Sequence, residues 1–318
     1  GPSSSSREML LALMRAGADV FRLNFSHGQH TVLAETVALI RELSRDRRRA
    51  VAILGDLQGP KIRIARFADT RVRLQTGAQF ILDAAMDKNA GSAEAVGIAY
   101  EALITDSRPG DILLLDDGRI ELAVEAIEGT RAICRVRVGG ELSNNKGINR
   151  QGGGLSAEAL TDKDKADILS AAKIGVDYLA VSFPRSGDDI RYARELLEAT
   201  GSKAGIIAKV ERAEAVSSLE VLDGIIDASN GVMVARGDLG VEIGDAELID
   251  RIKQSPRGSI HIIQHRCIVD DPTMVVRRDR NVVFWRVVLL AVLPALGKFL
   301  VFLARVFQRV VPDMHRVV

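Results

Sequence analysis

Over the first 254 residues, apolar and polar positions repeat one phrase: a short apolar run, a polar turn, then a stretch with helical spacing. ADVFRLNFSHG is followed by HTVLAETVALIRELSRD, GVDYLAVSFPR by DDIRYARELLEAT, GIIAKVERAEA by SSLEVLDGIIDAS and NGVMVARGDLG by VEIGDAELID. AVAILGDLQG is a further apolar run of the same kind, but it gives way to a different pattern. Strands alternating with amphipathic helices predict parallel βα units. Both a βα barrel and an open doubly wound sheet satisfy this pattern.

The exception runs from about Lys61 to Gly154. Short runs such as IRIARF, RVRLQTGAQFILD and TRAICRVRVGG alternate without helical spacing, which predicts an all-β insertion in the βα series. Its return, GGELSNNKGINRQGGGLS, is rich in glycine. Glycines there serve either a mobile lid or the turns of an ordinary loop.

In βα folds the loops after the strands build the site, so polar residues at strand C-termini carry the chemistry. Arg22, Asn24 and Ser26 alternate along VFRLNFS and share a face. Asp56 ends VAILGD, Ser182 ends YLAVS, Lys209 and Glu211 end GIIAKVE, and Arg236 and Asp238 end VMVARGD. Lys209 and Glu211, two apart, also share a face, and their bland reading is a salt bridge at a strand end. Their chemical reading pairs Glu211 with Asp238 as oxygen ligands of Mg²⁺, which keeps waters and binds substrate oxygens. Lys209 then faces developing negative charge, and the planar fork of Arg22 suits a phosphate. Together they predict a site for a small phosphorylated, carboxylated molecule.

Composition narrows the function classes. Hydrophobic residues make up 47% and charged residues 27%, as in ordinary globular proteins. A net charge of +1 and 4% aromatics give no support for nucleic-acid binding. Two cysteines, Cys134 and Cys267, supply neither a disulfide framework nor a zinc site, and no secretory signal is readable, so the expected compartment is the cytoplasm. Charge is nevertheless uneven: residues 255–318 carry a net +6 and residues 1–254 a net −5. A boundary is expected near Gln254.

Seven strings appear in a familiar order: LNFSHG at 23–28, GDLQGPKIR at 55–63, LDDGR at 115–119, NNKGIN at 144–149, AVSFPR at 180–185, AKVERAEA at 208–215 and VMVARGDLGVEIG at 232–244. They resemble pyruvate kinase in the form common among Gram-negative bacteria, over roughly residues 1–250. The resemblance implies an α/β fold, a (β/α)₈ TIM-type barrel with an inserted all-β lid. It also implies transfer of phosphoryl from phosphoenolpyruvate to ADP, giving pyruvate and ATP in glycolysis. By that resemblance Lys209 and Arg22 act on the phosphoryl group, and Glu211 and Asp238 hold Mg²⁺, with Mn²⁺ an alternative. Asn24, Ser26, Asp56, Lys61, Arg63, Ser182 and Gly237 line the substrate pocket, Gly237 through its backbone N–H. Lys146 approaches from the nucleotide side. Family members are homo-oligomers.

The chain also departs from the family. It opens where the family has passed its first barrel strand, and nothing after Gln254 matches the seventh and eighth strands or the C-terminal domain. The barrel is therefore expected to be incomplete, in two parts, residues 1–60 and 155–254, around an insertion at 61–154. Lys61 stands where the family often has the Glu associated with a potassium requirement, and Leu57 where it has a Thr, so potassium is not expected to be needed. Residues 287–304 contain eighteen residues with one charge, Lys298. They read as a membrane-crossing helix, as a basic amphipathic helix on a membrane, or, with the rest of 255–318, as sequence unrelated to the domain. Three functions compete: a pyruvate kinase-type enzyme, a catalytically incompetent fragment that binds ligand, and a different barrel enzyme of Mg²⁺-enolate chemistry. Only the last leaves the inserted β region and GPKIR unexplained.

Overall fold

The computed structural model describes residues 4–244, together with the backbone of 263–264 and 273–276. Helix α1 (Arg7–Arg15) leads into β1 (Val20–Asn24), α2 (His30–Asp46) and β2 (Ala52–Asp56). A β-rich stretch comes next: β3 (Arg71–Leu74), β4 (Gln79–Asp83), β5 (Ala95–Gly97), the single-turn α3 (Leu103–Asp106), β6 (Ile112–Leu115), β7 (Ile120–Glu128), β8 (Arg131–Val138), β9 (Gly140–Ser143) and β10 (Ile148–Arg150). The βα series then resumes with α4 (Asp162–Ile174), β11 (Tyr178–Val181), α5 (Gly187–Glu198), β12 (Gly205–Val210), α6 (Leu219–Ala228), β13 (Gly231–Ala235) and α7 (Arg236–Ile243). Beyond it stand β14 (Ile263–Gln264) and β15 (Thr273–Val276).

Five strands, β1, β2, β11, β12 and β13, pair in parallel in that order. Alternation gives the sheet two different faces. Phe21, Leu23, Ile53, Leu179, Val181, Ile206, Ala208, Val210, Val232 and Val234 turn into one core with Leu33, Val37 and Ile40 of α2, Ile168 of α4, Ile190 of α5 and Ile225 of α6. The opposite positions carry Arg22, Asn24, Asp56 and Lys209, and the register places Asn24 beside Asp56. The outer neighbour of β13 is β15, which runs antiparallel to it and pairs in turn with β14. A continuing (β/α)₈ barrel would place a parallel strand there. β14 falls within GSIHIIQHR; nothing in the apolar–polar pattern announces the pairing of Thr273–Val276.

The β-rich stretch forms a six-stranded sheet, β10-β6-β7-β8-β4-β5, and a two-stranded one, β3-β9. It has its own core, centred on Phe80, Leu82, Leu113, Leu115, Leu122 and Cys134. Burial drives the Cys134 thiol up to about 12, so it behaves as a small apolar side chain. The stretch is not purely β, because Leu103–Asp106 makes a helical turn that buries Leu103 and Ile104.

Helix α4 begins with a capping box, in which Thr161 accepts from the Asp164 N–H and Asp164 accepts from the Thr161 N–H. Asp164 is fully buried, and its other oxygen accepts the Gly59 N–H at 3.1 Å. One carboxylate thus starts α4 and ties down the turn that leads to Lys61. Among the described residues no helix is long and apolar enough to cross a membrane. The segment 287–304, Cys267 and most of 255–318 lie outside the described residues.

Candidate functional site

β1, β2, β11 and β12 run side by side, and Arg22, Asp56, Ser182 and Lys209 meet on the face away from the helices. Arg22 Nε donates to Asp56 Oδ2 at 2.6 Å, and Asp56 is nearly inaccessible to solvent. Lys209 Nζ lies 2.8 Å from Glu211 Oε1, 2.8 Å from Ser182 Oγ and 3.4 Å from Asp56 Oδ1. The last of these distances is ionic contact rather than a hydrogen bond, and Asp56 Oδ1 is left without a hydrogen-bond partner. The Ser182 hydroxyl donates in turn to the Leu57 carbonyl at 2.8 Å.

Glu211 is buried, and its second oxygen accepts the Phe183 N–H at 3.1 Å. Phe183 adopts φ +56°, a conformation uncommon for a bulky residue. The turn opposite explains the fit: a Cβ at Gly59, itself at φ +66°, would stand 2.8 Å from Phe183 Cδ2 and 2.9 Å from Ser182 Cβ. Glycine is required there so that the β2 turn can lie against the end of β11.

Electrostatics concentrates at the Lys209–Glu211 pair. Burial pushes the Glu211 carboxyl up, Lys209 works against that shift, and Asp238 and Asp56 add to it. Burial also opposes the Lys209 ammonium, but Glu211 and Asp56 outweigh it and hold Lys209 above its ordinary value. The cluster therefore keeps a buried cation among carboxylates in which negative charge is crowded.

Asp238 belongs to a helix rather than to the end of a strand. β13 stops at Ala235, and Asp238 sits in the first turn of α7, where the free N–H groups favour a carboxylate. The apolar run VMVA is too short for periodicity to place that boundary. Lys61 Nζ reaches Asp238 Oδ1 at 3.1 Å and Oδ2 at 3.3 Å. Gly237, also in that turn, is exposed, and Ala235 provides no side-chain cap.

The remaining expected site residues lie further out. Asn24 Oδ1 accepts the Ser26 N–H at 2.8 Å and stays exposed. Arg63 donates to the Asn145 carbonyl at 2.8 Å. Lys146 pairs with Asp116 at 2.6 Å, within the LDDGR turn, in which Asp116 and Asp117 both have positive φ. Lys146 therefore faces a carboxylate of the β-rich stretch.

Sequence reasoning missed two groups beside the site. Arg212, buried, donates to the carbonyls of Leu155 and Ala157. Glu242, also buried, accepts from Asn149 and from the Ala213 N–H. Neither is singled out by the apolar–polar pattern along the chain. With Lys61, Phe183 and Asp238 they line a small cleft.

The family model for the pyruvate kinase barrel domain matches residues 1–257. The chain belongs to the pyruvate kinase family. It is 55% identical over 262 residues to pyruvate kinase of Haemophilus influenzae, covering 81% of this chain and 54% of that protein. It is 57% identical over 252 residues to pyruvate kinase II of Salmonella typhimurium, covering 78% and 52%. A pyruvate kinase of Buchnera aphidicola is 52% identical over 248 residues. The chain spans about half the length of these relatives. Homologues from Gram-negative bacteria thus agree with the resemblance carried by the seven strings.

Proposed function

We propose that this chain carries the phosphoryl-transfer site of a pyruvate kinase, taking phosphoenolpyruvate and ADP to pyruvate and ATP. The observation that supports this best is the placement of Lys209, buried between Glu211 and Asp56 and joined to Ser182, on the face where Arg22 projects from β1. Phosphoryl transfer asks a protein mainly for positioning and charge neutralisation. In the reaction the enol-phosphate P–O bond breaks, a bond forms to a terminal oxygen of ADP, and the enolate takes up a proton. Lys209 stabilises charge on the phosphoryl group and the enolate, and Arg22 grips the phosphate. Asn24, Ser26, Asp56, Lys61, Arg63 and Ser182 shape the pocket. Gly237 offers an N–H from the first turn of α7 to the substrate carboxylate. Lys146 serves the nucleotide side.

Glu211 and Asp238 provide two hard oxygen donors, a set that fits Mg²⁺ or Mn²⁺ with water and substrate oxygens as the remaining ligands; among the described residues no group of three metal-ligating side chains is gathered. When bound, the cation neutralises phosphoryl and carboxylate oxygens. Lys61, already paired with Asp238, takes the place of a potassium ion. In this reading residues 1–60 and 155–254 are parts of one incomplete (β/α)₈ barrel, and 61–154 is its lid. The setting is glycolysis in the cytoplasm.

One observation favours a second reading, a ligand-binding form without turnover: β13 has an antiparallel neighbour where a barrel continues in parallel. Pyruvate formation by the purified chain, measured with and without ADP and Mg²⁺, separates the two. Turnover that requires both supports the transferase. Binding of Mn²⁺ and phosphoenolpyruvate without turnover supports the second reading, and absence of both overturns the assignment of the site.

A further inference from the structure

Glu242 takes no part in the chemistry above, yet it is buried where a carboxylate is costly to place. It lies one turn after Asp238 on α7, on the same side of the helix. Its Oε2 accepts the Ala213 N–H at 2.8 Å, two residues beyond Glu211. Its Oε1 accepts from Asn149 Nδ2 at 3.1 Å, on β10, the last strand of the β-rich stretch. Its own carbonyl accepts the Gly152 N–H at 3.0 Å.

Three segments therefore meet at one side chain: the helix that carries Asp238, the loop that carries Glu211, and the return of the β-rich stretch. The last two are fastened to each other at further points. Arg212 holds the Leu155 and Ala157 carbonyls, and Glu214 accepts the Gly154 N–H. A Cβ on Gly153, which has φ +78°, would stand 2.9 Å from Ala213 Cβ, so the two backbones approach as closely as glycine permits. The carboxyl of Glu242 joins that assembly to the Asp238 helix.

We propose that Glu242 is a positioning residue that sets the separation of Glu211 and Asp238, so that the placement of the β-rich stretch is transmitted to the carboxylates that hold the divalent cation. This rests on the reading that Glu211 and Asp238 are its ligands. Groups that orient ligands without touching the metal commonly change affinity 10–100-fold when removed. Gln at this position keeps one acceptor for Ala213, and its amide can donate to Asn149 once the Asn149 amide turns over. Ala keeps neither.

The test is titration of the full chain with Mn²⁺, reading free Mn²⁺ by electron paramagnetic resonance, with near-UV circular dichroism to verify folding. Glu242→Ala is expected to weaken Mn²⁺ binding about tenfold or more, and Asn149→Ala to weaken it in the same direction. Glu242→Gln should bind close to wild type, and Glu211→Gln should lose binding. If Glu242→Ala does not fold, Asn149→Ala decides, because it removes only the amide. Unchanged affinity in Asn149→Ala and in any folded Glu242→Ala, with loss in Glu211→Gln, overturns the positioning role and leaves the cation site standing. A wild-type chain that does not bind Mn²⁺, or a Glu211→Gln variant that binds as wild type does, overturns the cation site and this inference with it.

Discussion

Lys209 Nζ and Glu211 Oε1 are 2.8 Å apart at the end of β12, both side chains almost closed to solvent. Such a pair contributes little net stability when intact, but removing one partner strands the other, at a cost of roughly 3–5 kcal/mol. Lys209→Met should therefore have two effects. In the metal-free protein the unfolding midpoint falls, and added Mg²⁺ restores more of it than in wild type, because Glu211 and Asp56 lose their cation. In a preparation that turns over, kcat should drop by about 10²–10³ while phosphoenolpyruvate binding changes little, since charge develops after binding. A raised KM with unchanged kcat would contradict this role. Glu211→Gln and Asp238→Asn should instead raise the Mg²⁺ concentration needed for half-maximal activity.

The contact between Lys61 and Asp238 leads to a different measurement. With Lys61 Nζ 3.1 Å from Asp238 Oδ1, an ammonium already stands beside a carboxylate of the proposed cation site. Activity should be the same in sodium and potassium buffers. Lys61→Glu would put a second carboxylate against Asp238 and leave an uncompensated negative charge, so activity should become dependent on added K⁺. Strong activation of the unmutated protein by K⁺ would sink the idea.

Much of this site is legible in the sequence because strand alternation is strict. In VFRLN the apolar Phe21 and Leu23 turn into the core, and Arg22 and Asn24 turn outward, as a period of two demands. AILGD is buried throughout, so its pattern says nothing of how Asp56 points; only its place at the strand end does. Asp238 reads as a strand residue because four apolar residues carry no usable period, and the helix begins one residue after them. Glu242 and Arg212 are illegible for another reason. Each is buried by a segment remote in sequence, Glu242 by Asn149 and Arg212 by Leu155 and Ala157, and no local window contains both partners.

Gly59 tests the backbone side of the arrangement. Its φ of +66° and the 2.8 Å approach to Phe183 mean that Gly59→Ala must strain the turn and displace Phe183 or Ser182. The expected loss is about 1–3 kcal/mol, read as a lower urea midpoint with an unchanged slope. Gly77 has φ +85° but nothing within 4 Å of an added Cβ, so Gly77→Ala should lose only the smaller backbone component. Equal losses at the two positions would show that the contact with β11 contributes nothing.

The carboxyl of Glu242 offers a pH signature. Burial first, and the nearby Glu214 after it, push it from the ordinary 4.5 up to about 7, against the opposing effects of the Ala213 N–H, the Asn149 amide and Arg212. A carboxyl raised on folding binds its proton more tightly in the folded chain. Its contribution is therefore fully present below the unfolded value near 4.5 and is lost as pH rises through about 7. Fully developed, the loss is of the order of 3 kcal/mol. Glu242→Gln has no proton to lose, so its stability relative to wild type should rise between pH 5 and pH 8 and level off above. Urea unfolding of both proteins across that range measures the difference directly. A difference that stays constant with pH would mean that Glu242 ionises in the folded chain as easily as in the unfolded one, and that its burial carries no electrostatic cost.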